Sequence, residues 1–354
     1  MYNACAGEGK GTMKKFAMLL VAIPTVFLAT AARGDPGWSI QLLFSRCVPF
    51  CGALNGVNML NGKIGIVVGG GYGALSQPYS VTLFSEDGGA HWIEGSVPLG
   101  SGSLSKVEFI DQTTAVSVGA WNRDGEGTIL RTTDRGATWT SVVSGTRNRL
   151  TGVSFADAKI GTAVGDGGTI LRTAEGGLTW IAQSSGTTNN LYDVSSIDGN
   201  AAVAVGDGGT VLRTIDGGNT WILQASGTKN QLRAVSFTDF NTGITVGSGG
   251  LILHTTDGGE TWLPQVSGTS ANLLSVAYTD DPNTAFVGSV GSILRTTDGG
   301  ATWIQQELPT VAGVRSWSGI SIKDGIGIAV SDRIVLRTLT GGDPVTCTAG
   351  IDAR

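Results

Sequence analysis

The sequence predicts an all-β protein: a seven-bladed β-propeller of four-stranded antiparallel blades, its ring closed by an N-terminal strand in the last blade. Three observations predict it. Trp139, Trp180, Trp221, Trp262 and Trp303 recur at a constant interval of 41 residues, and Trp92 and Trp38 precede them at intervals of 47 and 54. Within one interval the apolar runs Leu232–Phe237, Thr242–Gly247 and Leu251–Thr256 lead into the turn Asp257–Trp262 and a last short strand. Every run is bounded by Gly, Asp or Asn, the punctuation of strands and tight turns, and helical spacing of apolar residues never persists beyond a turn. Four short strands in a unit of about 40 residues mark a propeller blade.

The count of copies sets the size of the ring. Innermost strands are expected at Val57–Met59, Val107–Phe109, Val153–Phe155, Val194–Ser196, Val235–Phe237, Val276–Tyr278 and Ile320–Ile322, which makes seven. Strands led by Trp also number seven, from Trp38 to Trp303. The first Trp strand has no blade before it, and the last blade has no Trp strand after it. Pairing the strand near Trp38–Leu43 with the last blade removes the exposed sheet edges an open array would leave. The longer interval before Trp139 reflects insertions around 98–103 and 121–126.

Composition agrees with a dense β fold. Gly accounts for 56 of 354 residues and charged residues for only 14 %, whereas a disordered chain carries more charge than this. Met13-Lys14-Lys15, the apolar run Phe16–Leu28 and Ala29-Thr30-Ala31 have the order of a signal peptide cut after Ala31, with Met13 a candidate for the true start. The expected organisation is therefore a signal peptide at 1–31, the propeller at 32–340 and a C-terminal tail at 341–354. Such a leader implies export to a periplasm, a thylakoid lumen or the extracellular space. The net charge of −5 becomes about −7 without the leader, the opposite of the balance expected for a nucleic-acid partner. Of the cysteines beyond the leader, two of Cys47, Cys51 and Cys347 are expected to pair in an oxidising compartment. A bridge from Cys47 or Cys51 to Cys347 would tie the chain ends together at the ring seam, and Cys47 to Cys51 would close a small loop. No metal site or cofactor is expected, because only two His are present and no ligand spacing stands out.

The recurring turn reads Ser/Thr-x-Asp-x-Gly-x-Thr-Trp. Its copies centre on Asp87, Asp134, Glu175 (in place of Asp), Asp216, Asp257 and Asp298, followed by Trp92, Trp139, Trp180, Trp221, Trp262 and Trp303. A short carboxylate in such a turn accepts backbone N–H groups, Gly supplies positive φ, and Trp packs over the turn and between blades. These carboxylates are read as structural caps on the outer rim rather than as acid or metal chemistry. The Gly-Asp-Gly-Gly segments at 165–168 and 206–209 precede strands, not helices, and are read as turns rather than phosphate cradles.

These boxes resemble the bacterial neuraminidase repeat. The fuller unit, clearest at Gly165–Arg172 and Gly206–Arg213, resembles the photosystem II stability/assembly factor family over roughly residues 55–340. The resemblance implies a non-catalytic seven-bladed propeller that binds precursor reaction-centre subunits of a membrane protein complex during assembly. The chain itself is expected to be a monomer.

Two sets of residues are candidates for partner contacts. Arg131, Arg172, Arg213, Arg295 and Arg337 share one position of the repeat, with His254 in their place in the fifth blade. They read either as a basic belt for a carboxylate-bearing partner or as struts between blades. Arg147, Arg149, Lys229 and Arg233 are not periodic and are placed in the loops between blades, where binding residues concentrate. The Gly- and Tyr-rich stretch Gly69–Tyr79 is the least repetitive part and reads as an insertion suited to contacts. The rival readings are an Asp-box glycosidase of the sialidase kind and a carbohydrate-binding propeller. A glycosidase needs two placed carboxyl groups, and Glu94, Glu108, Glu126 and Glu307, outside the boxes, have no distinctive sequence neighbourhood.

Overall fold

A computed structural model describes residues 38–43, 51–72, 78–309, 316–332 and 334–339. The predicted leader, the tail, Cys47, Cys347 and the side chain of Cys51 lie outside the described residues.

Seven four-stranded antiparallel sheets follow one another along the chain. Blade I holds β2 (Cys51–Met59), β3 (Gly65–Tyr72), β4 (Pro78–Ser85) and β5 (Ile93–Glu94). Blade II holds β6 (Leu104–Phe109), β7 (Ala115–Trp121), β8 (Gly127–Thr132) and β9 (Thr140–Val142). Blade III holds β10 (Leu150–Phe155), β11 (Gly161–Gly165), β12 (Ile170–Thr173) and β13 (Ile181–Gln183). Blade IV holds β14 (Leu191–Ser196), β15 (Ala202–Gly206), β16 (Val211–Thr214) and β17 (Ile222–Gln224). Blade V holds β18 (Leu232–Phe237), β19 (Gly243–Gly247), β20 (Ile252–Thr255) and β21 (Leu263–Gln265). Blade VI holds β22 (Leu273–Tyr278), β23 (Ala285–Ser289), β24 (Ile293–Thr296) and β25 (Ile304–Gln305). Blade VII joins β26 (Gly319–Lys323), β27 (Ile326–Ser331) and β28 (Ile334–Thr338) to β1 (Trp38–Leu43), as the unpaired ends of the repeat require. In the β1–β28 pair Trp38 faces Thr338 and Ile40 faces Leu336, with a bulge between Ile40 and Leu42.

The core is divided among the seams between blades. In the second strand of blade IV, Ala202 and Ala204 pack with Val164 and Ile170 of blade III, while the intervening Val203 and Val205 pack with Leu232 and Val235 of blade V. Both faces of the strand are therefore covered, which is why its apolar run does not alternate with polar residues. The same arrangement runs around the ring to Ile328, Val330 and Val335 of blade VII against Leu54, Val57 and Val67 of blade I. The box tryptophans sit in these seams: Trp139 packs with Ile66 and Val68 of blade I and Leu104 and Leu130 of blade II. Trp38 does the same for the last seam, fully buried and edge-on to Phe286 of blade VI at 6.1 Å.

Each innermost strand has one edge without a partner strand, and polar side chains of the neighbouring blade serve its backbone. Phe109 N–H donates to Asn58 Oδ1 (3.1 Å), Ser196 N–H to Ser154 Oγ (3.0 Å), Phe237 N–H to Ser195 Oγ (3.3 Å) and Met59 N–H to Ser321 Oγ (3.0 Å). Carbonyl groups are served likewise by Asn55 on Leu104 O, Thr151 on Leu191 O and Ser318 on Leu54 O. Buried backbone groups are costly to leave unpaired, so these bonds hold one blade to the next.

The stretch Gly69–Tyr79 is an insertion that lengthens the β3–β4 hairpin beyond those of blades III to V. Gly69–Tyr72 continues β3 and Pro78–Tyr79 begins β4, paired Tyr72 to Pro78, with 73–77 outside the described residues. Its glycines serve packing: a Cβ on Gly69 would stand 2.0 Å from the carbonyl oxygen of Ala53 in β2.

Trp38→Ala removes the largest side chain of the closing strand from its seam. It should lower the thermal unfolding midpoint, followed by circular dichroism, by roughly 10 °C, from the few kcal/mol that a buried aromatic contributes.

Candidate functional site

The box carboxylates turn inward on their own hairpins. In the second box, Asp134 Oδ1 accepts Thr138 N–H (2.8 Å) and the Thr132 hydroxyl (2.7 Å), and Oδ2 accepts the Thr138 hydroxyl (2.6 Å). Asp216, Asp257 and Asp298 repeat this pattern, and Asp87 forms it with His91 in place of Thr. The Thr302 hydroxyl and backbone N–H hold the Asp298 carboxyl down to about 2. Glu175, one carbon longer, reaches the Thr179 hydroxyl at 2.8 Å. Where the other boxes carry Gly, Arg135 takes a left-handed φ of 62°, its guanidinium joined to Gln112 O and Glu86. Trp139 and Trp180 donate back to glycine carbonyls of their own boxes, and Trp221 donates to Gln183 of the preceding blade.

Arg131, Arg172, Arg213 and Arg337 reach into the following blade. Arg131 Nε donates to Gly176 O (2.9 Å), Arg213 Nε to Gly258 O (2.8 Å) and Arg337 Nε to Gly88 O (2.6 Å), each acceptor lying in the next blade's box. Arg172 donates to Gly199 O and to Thr162 Oγ1. Arg213 also meets Glu260 at 3.2 Å. The Arg295 guanidinium lies over the Phe286 ring, 5.5 Å from its centroid. His254 is half-buried at the same position, and burial pushes its pKa down so that it stays neutral near pH 7.

The non-periodic cations border the face formed by the loops that connect one blade to the next. Arg147 and Lys229 are exposed on those loops. Arg149 immediately precedes β10 and pairs with Asp166 at 3.1 Å, while its Nε is buried without a hydrogen-bond partner. Arg233 lies within β18 rather than in a loop. It stacks over the Tyr192 ring at 4.5 Å and donates to Gln231 Oε1 at 2.6 Å. Tyr192 and Gln231 in turn donate to Asp207 Oδ1, both at 2.8 Å, and Asn190 donates to Oδ2 at 3.0 Å. Burial and the Asp207 contact raise the Tyr192 pKa, so its hydroxyl remains a donor. The structure thus joins Arg233 to an aromatic ring and three polar side chains from blades IV and V. The Asn190–Asp207 pair repeats Arg149–Asp166 of blade III, whereas the Arg233–Tyr192 stack has no counterpart, Thr151 and Leu274 standing at its repeat positions.

A second cluster lay hidden at Glu108, whose sequence neighbourhood looks ordinary. Lys106 Nζ reaches from blade II past Gly152 of blade III to Asp193 Oδ1 of blade IV at 2.5 Å. Asp193 Oδ2 accepts Val235 N–H of blade V. Burial raises the Glu108 pKa to about 7, against the opposing pull of Lys106 and of the Phe155 N–H. The available signal was a break in the repeat: Lys106 and Glu108 stand where the other inner strands carry mostly Gly, Ala, Ser or Asn. Among the described residues no group of three His, Cys, Asp or Glu side chains is placed to hold a metal ion.

Seven sheets, seven apolar seams and carboxylate-capped hairpins define the class: an Asp-box β-propeller. Residues 174–267 match the family described as Photosynthesis system II assembly factor YCF48, and the chain resembles that family. No curated protein sequence matches the chain. Among solved structures it is similar to a YCF48 bound to D1 peptide, at 20 % identity over 88 % of this chain and 99 % of that one, with a TM-score of 0.67. It is also similar to YCF48 from Cyanidioschyzon merolae, at 20 % identity over 85 % of this chain and 98 % of that one, with a TM-score of 0.62. A GH74 xyloglucanase from Xanthomonas campestris shares the fold at 14 % identity over 88 % of this chain and 55 % of that one, with a TM-score of 0.61.

Arg213→Gln loses the bond to Gly258 O and leaves a half-buried carbonyl unpaired. It should lower the thermal midpoint by a few degrees, about 1–3 kcal/mol, whereas Arg147→Gln on the exposed loop leaves it unchanged. Glu108 makes a separate pH-dependent contribution. Its folded pKa lies above the unfolded value, so the fold favours the protonated form, and stability falls as pH rises through the interval from about 4.5 to about 7. Glu108→Gln should therefore raise the midpoint at about pH 8.5 and change it little at about pH 4, as read by thermal melts across pH.

Proposed function

We propose that this chain is a non-catalytic protein-binding propeller that serves as an assembly or scaffold factor for a membrane protein complex, with photosystem II reaction-centre precursors as its partners. The observation that carries the reading is the non-periodic cluster on the connecting face. Arg233 is held flat by Tyr192 and Gln231, and Arg149 keeps a buried Nε without a partner. A pre-oriented guanidinium suits carboxylate and backbone acceptors of a partner chain. The similarity to a YCF48 solved with a D1 peptide supports the same kind of partner. The reading includes export, which rests on the basic, apolar and small-residue order of residues 13–31. The periodic arginines enter it as struts that position this face rather than as its contact groups.

Glycosidase chemistry is disfavoured on the carboxylates. Those of the Asp boxes are committed to their own hairpins, and Asp193 is held by Lys106 and Val235 N–H.

Crosslinking of the full chain in its native envelope, followed by mass spectrometry, should recover reaction-centre subunits. The double substitution Arg149→Gln with Arg233→Gln should reduce that recovery about tenfold, as expected for loss of charge-assisted contacts. Recovery of only unrelated envelope proteins or glycans would refute the photosystem role.

A further inference from the structure

We propose that blade IV carries a second docking groove, which takes an extended segment of a partner protein presenting an apolar side chain beside a carboxylate. The inference rests on the reading of the chain as a protein-binding propeller, and it concerns the outer rim rather than the Arg233 cluster. A groove of about 600 Å³ opens over this blade between the loop leading into β14 and the loop following β17. Leu212, Trp221 and Leu223 supply its apolar floor, and Lys229 stands on its wall.

The repeat shows why this blade differs from its neighbours. The second residue after the strand-leading tryptophan is Glu94, Ser141, Ala182, Leu223, Pro264 or Gln305 in blades I to VI, and Ile40 in the closing strand of blade VII. Ile40 packs against the core of its seam, whereas Leu223 is 67 % exposed, so blade IV alone leaves a large aliphatic group open at this position. Nothing in the hairpin requires it, since the neighbouring blades fold with Ala and Pro. An apolar side chain left open within a groove is a contact surface awaiting a partner.

The groove also runs beside an unpaired strand edge. β17 is the last strand of its sheet, so its outer backbone groups are free to pair with an added strand. Pro264 removes one such N–H from the corresponding strand of blade V. An extended segment aligned on β17 would set alternate side chains toward Leu223. Lys229 is exposed and forms no hydrogen bond or ion pair among the described residues, so its charge is available to a carboxylate on that segment. The copies of Lys229 in the neighbouring loops are Arg147, Thr188 and Ser270.

The wall hydroxyls favour a peptide over a sugar. Ser185 Oγ donates to Thr187 O, Ser226 Oγ donates to Thr228 O, and Thr210 Oγ1 donates to Asp207 O while accepting from Asn189. They are turned into their own loops, whereas glycan recognition needs free polar groups facing the ligand.

The test uses the full chain and a fluorescein-labelled peptide of roughly nine residues, with a central Leu-Asp pair in Gly/Ser flanks, read by fluorescence anisotropy. Leu223→Ser, which installs the residue type of blade II, should weaken binding about tenfold, and Lys229→Gln should abolish the preference for Leu-Asp over Leu-Asn. Glu94→Gln, on the last strand of blade I, should leave the anisotropy curve unchanged. Equal binding by wild type and Leu223→Ser, or no binding by wild type, would overturn the groove even where reaction-centre capture succeeds. A tenfold loss in Leu223→Ser, in a protein that captures no reaction-centre subunit, would support the groove and sink the photosystem partner. Displacement of the peptide by soluble oligosaccharides would overturn the choice of a peptide.

Discussion

Every blade of this ring buries both of its faces, so none holds its core without the next, and the pairing of β1 with β28 is where that dependence closes. Trp38 lies in the seam between blades VI and VII although the residues it touches come some 250 or more positions later in the chain. Without β1, blade VII would present a bare edge and the apolar surface around Phe286, Trp317 and Ile320 would lose its cover. A contact of such sequence separation forms late, because loop closure must be completed before the contact is gained. The ring is in this sense a cooperative unit rather than an open array of repeats, whose stability grows copy by copy.

Polar residues that keep step with the repeat serve that ring. Box carboxylates satisfy the hairpin backbone, inner-strand Ser and Asn satisfy the free edge of the next blade, and Arg131, Arg213 and Arg337 reach the next box. All are answers to one problem: short strands leave many backbone groups near apolar seams, and each unpaired group is costly. Groups used in this way have little left to offer a partner. The contact groups proposed above lie where the repeat is broken, at Arg233 over Tyr192, at Arg149 and at Leu223 beside Lys229.

The two readings of the arginine position show why periodicity alone could not choose between them. A belt for a ligand and a set of struts produce the same spacing in sequence. The acceptors of Arg131 and Arg213 support the strut reading: Gly176 and Gly258 each stand 45 positions beyond the arginine that binds them, in the following blade. Arg233 presents the converse case. It was legible as a non-periodic cation, but its place inside β18 and its stacking on a residue 41 positions earlier followed from the approach of blades IV and V.

By itself the sequence determined the blades, their number, the caps on their hairpins and the partner strand for the last blade. These depend on local turn chemistry and on a repeat length that keeps the same residues in the same places, and both are visible over a few tens of residues. The tertiary structure alone decided what lies across each seam. The Lys106–Asp193 pair passes over the glycine of an intervening blade, burial there raises the pKa of Glu108, and the groove over blade IV arises from two loops that flank one sheet. Such sites join residues that share no periodic mark, and their properties come from burial and distance, which exist only once the ring has closed.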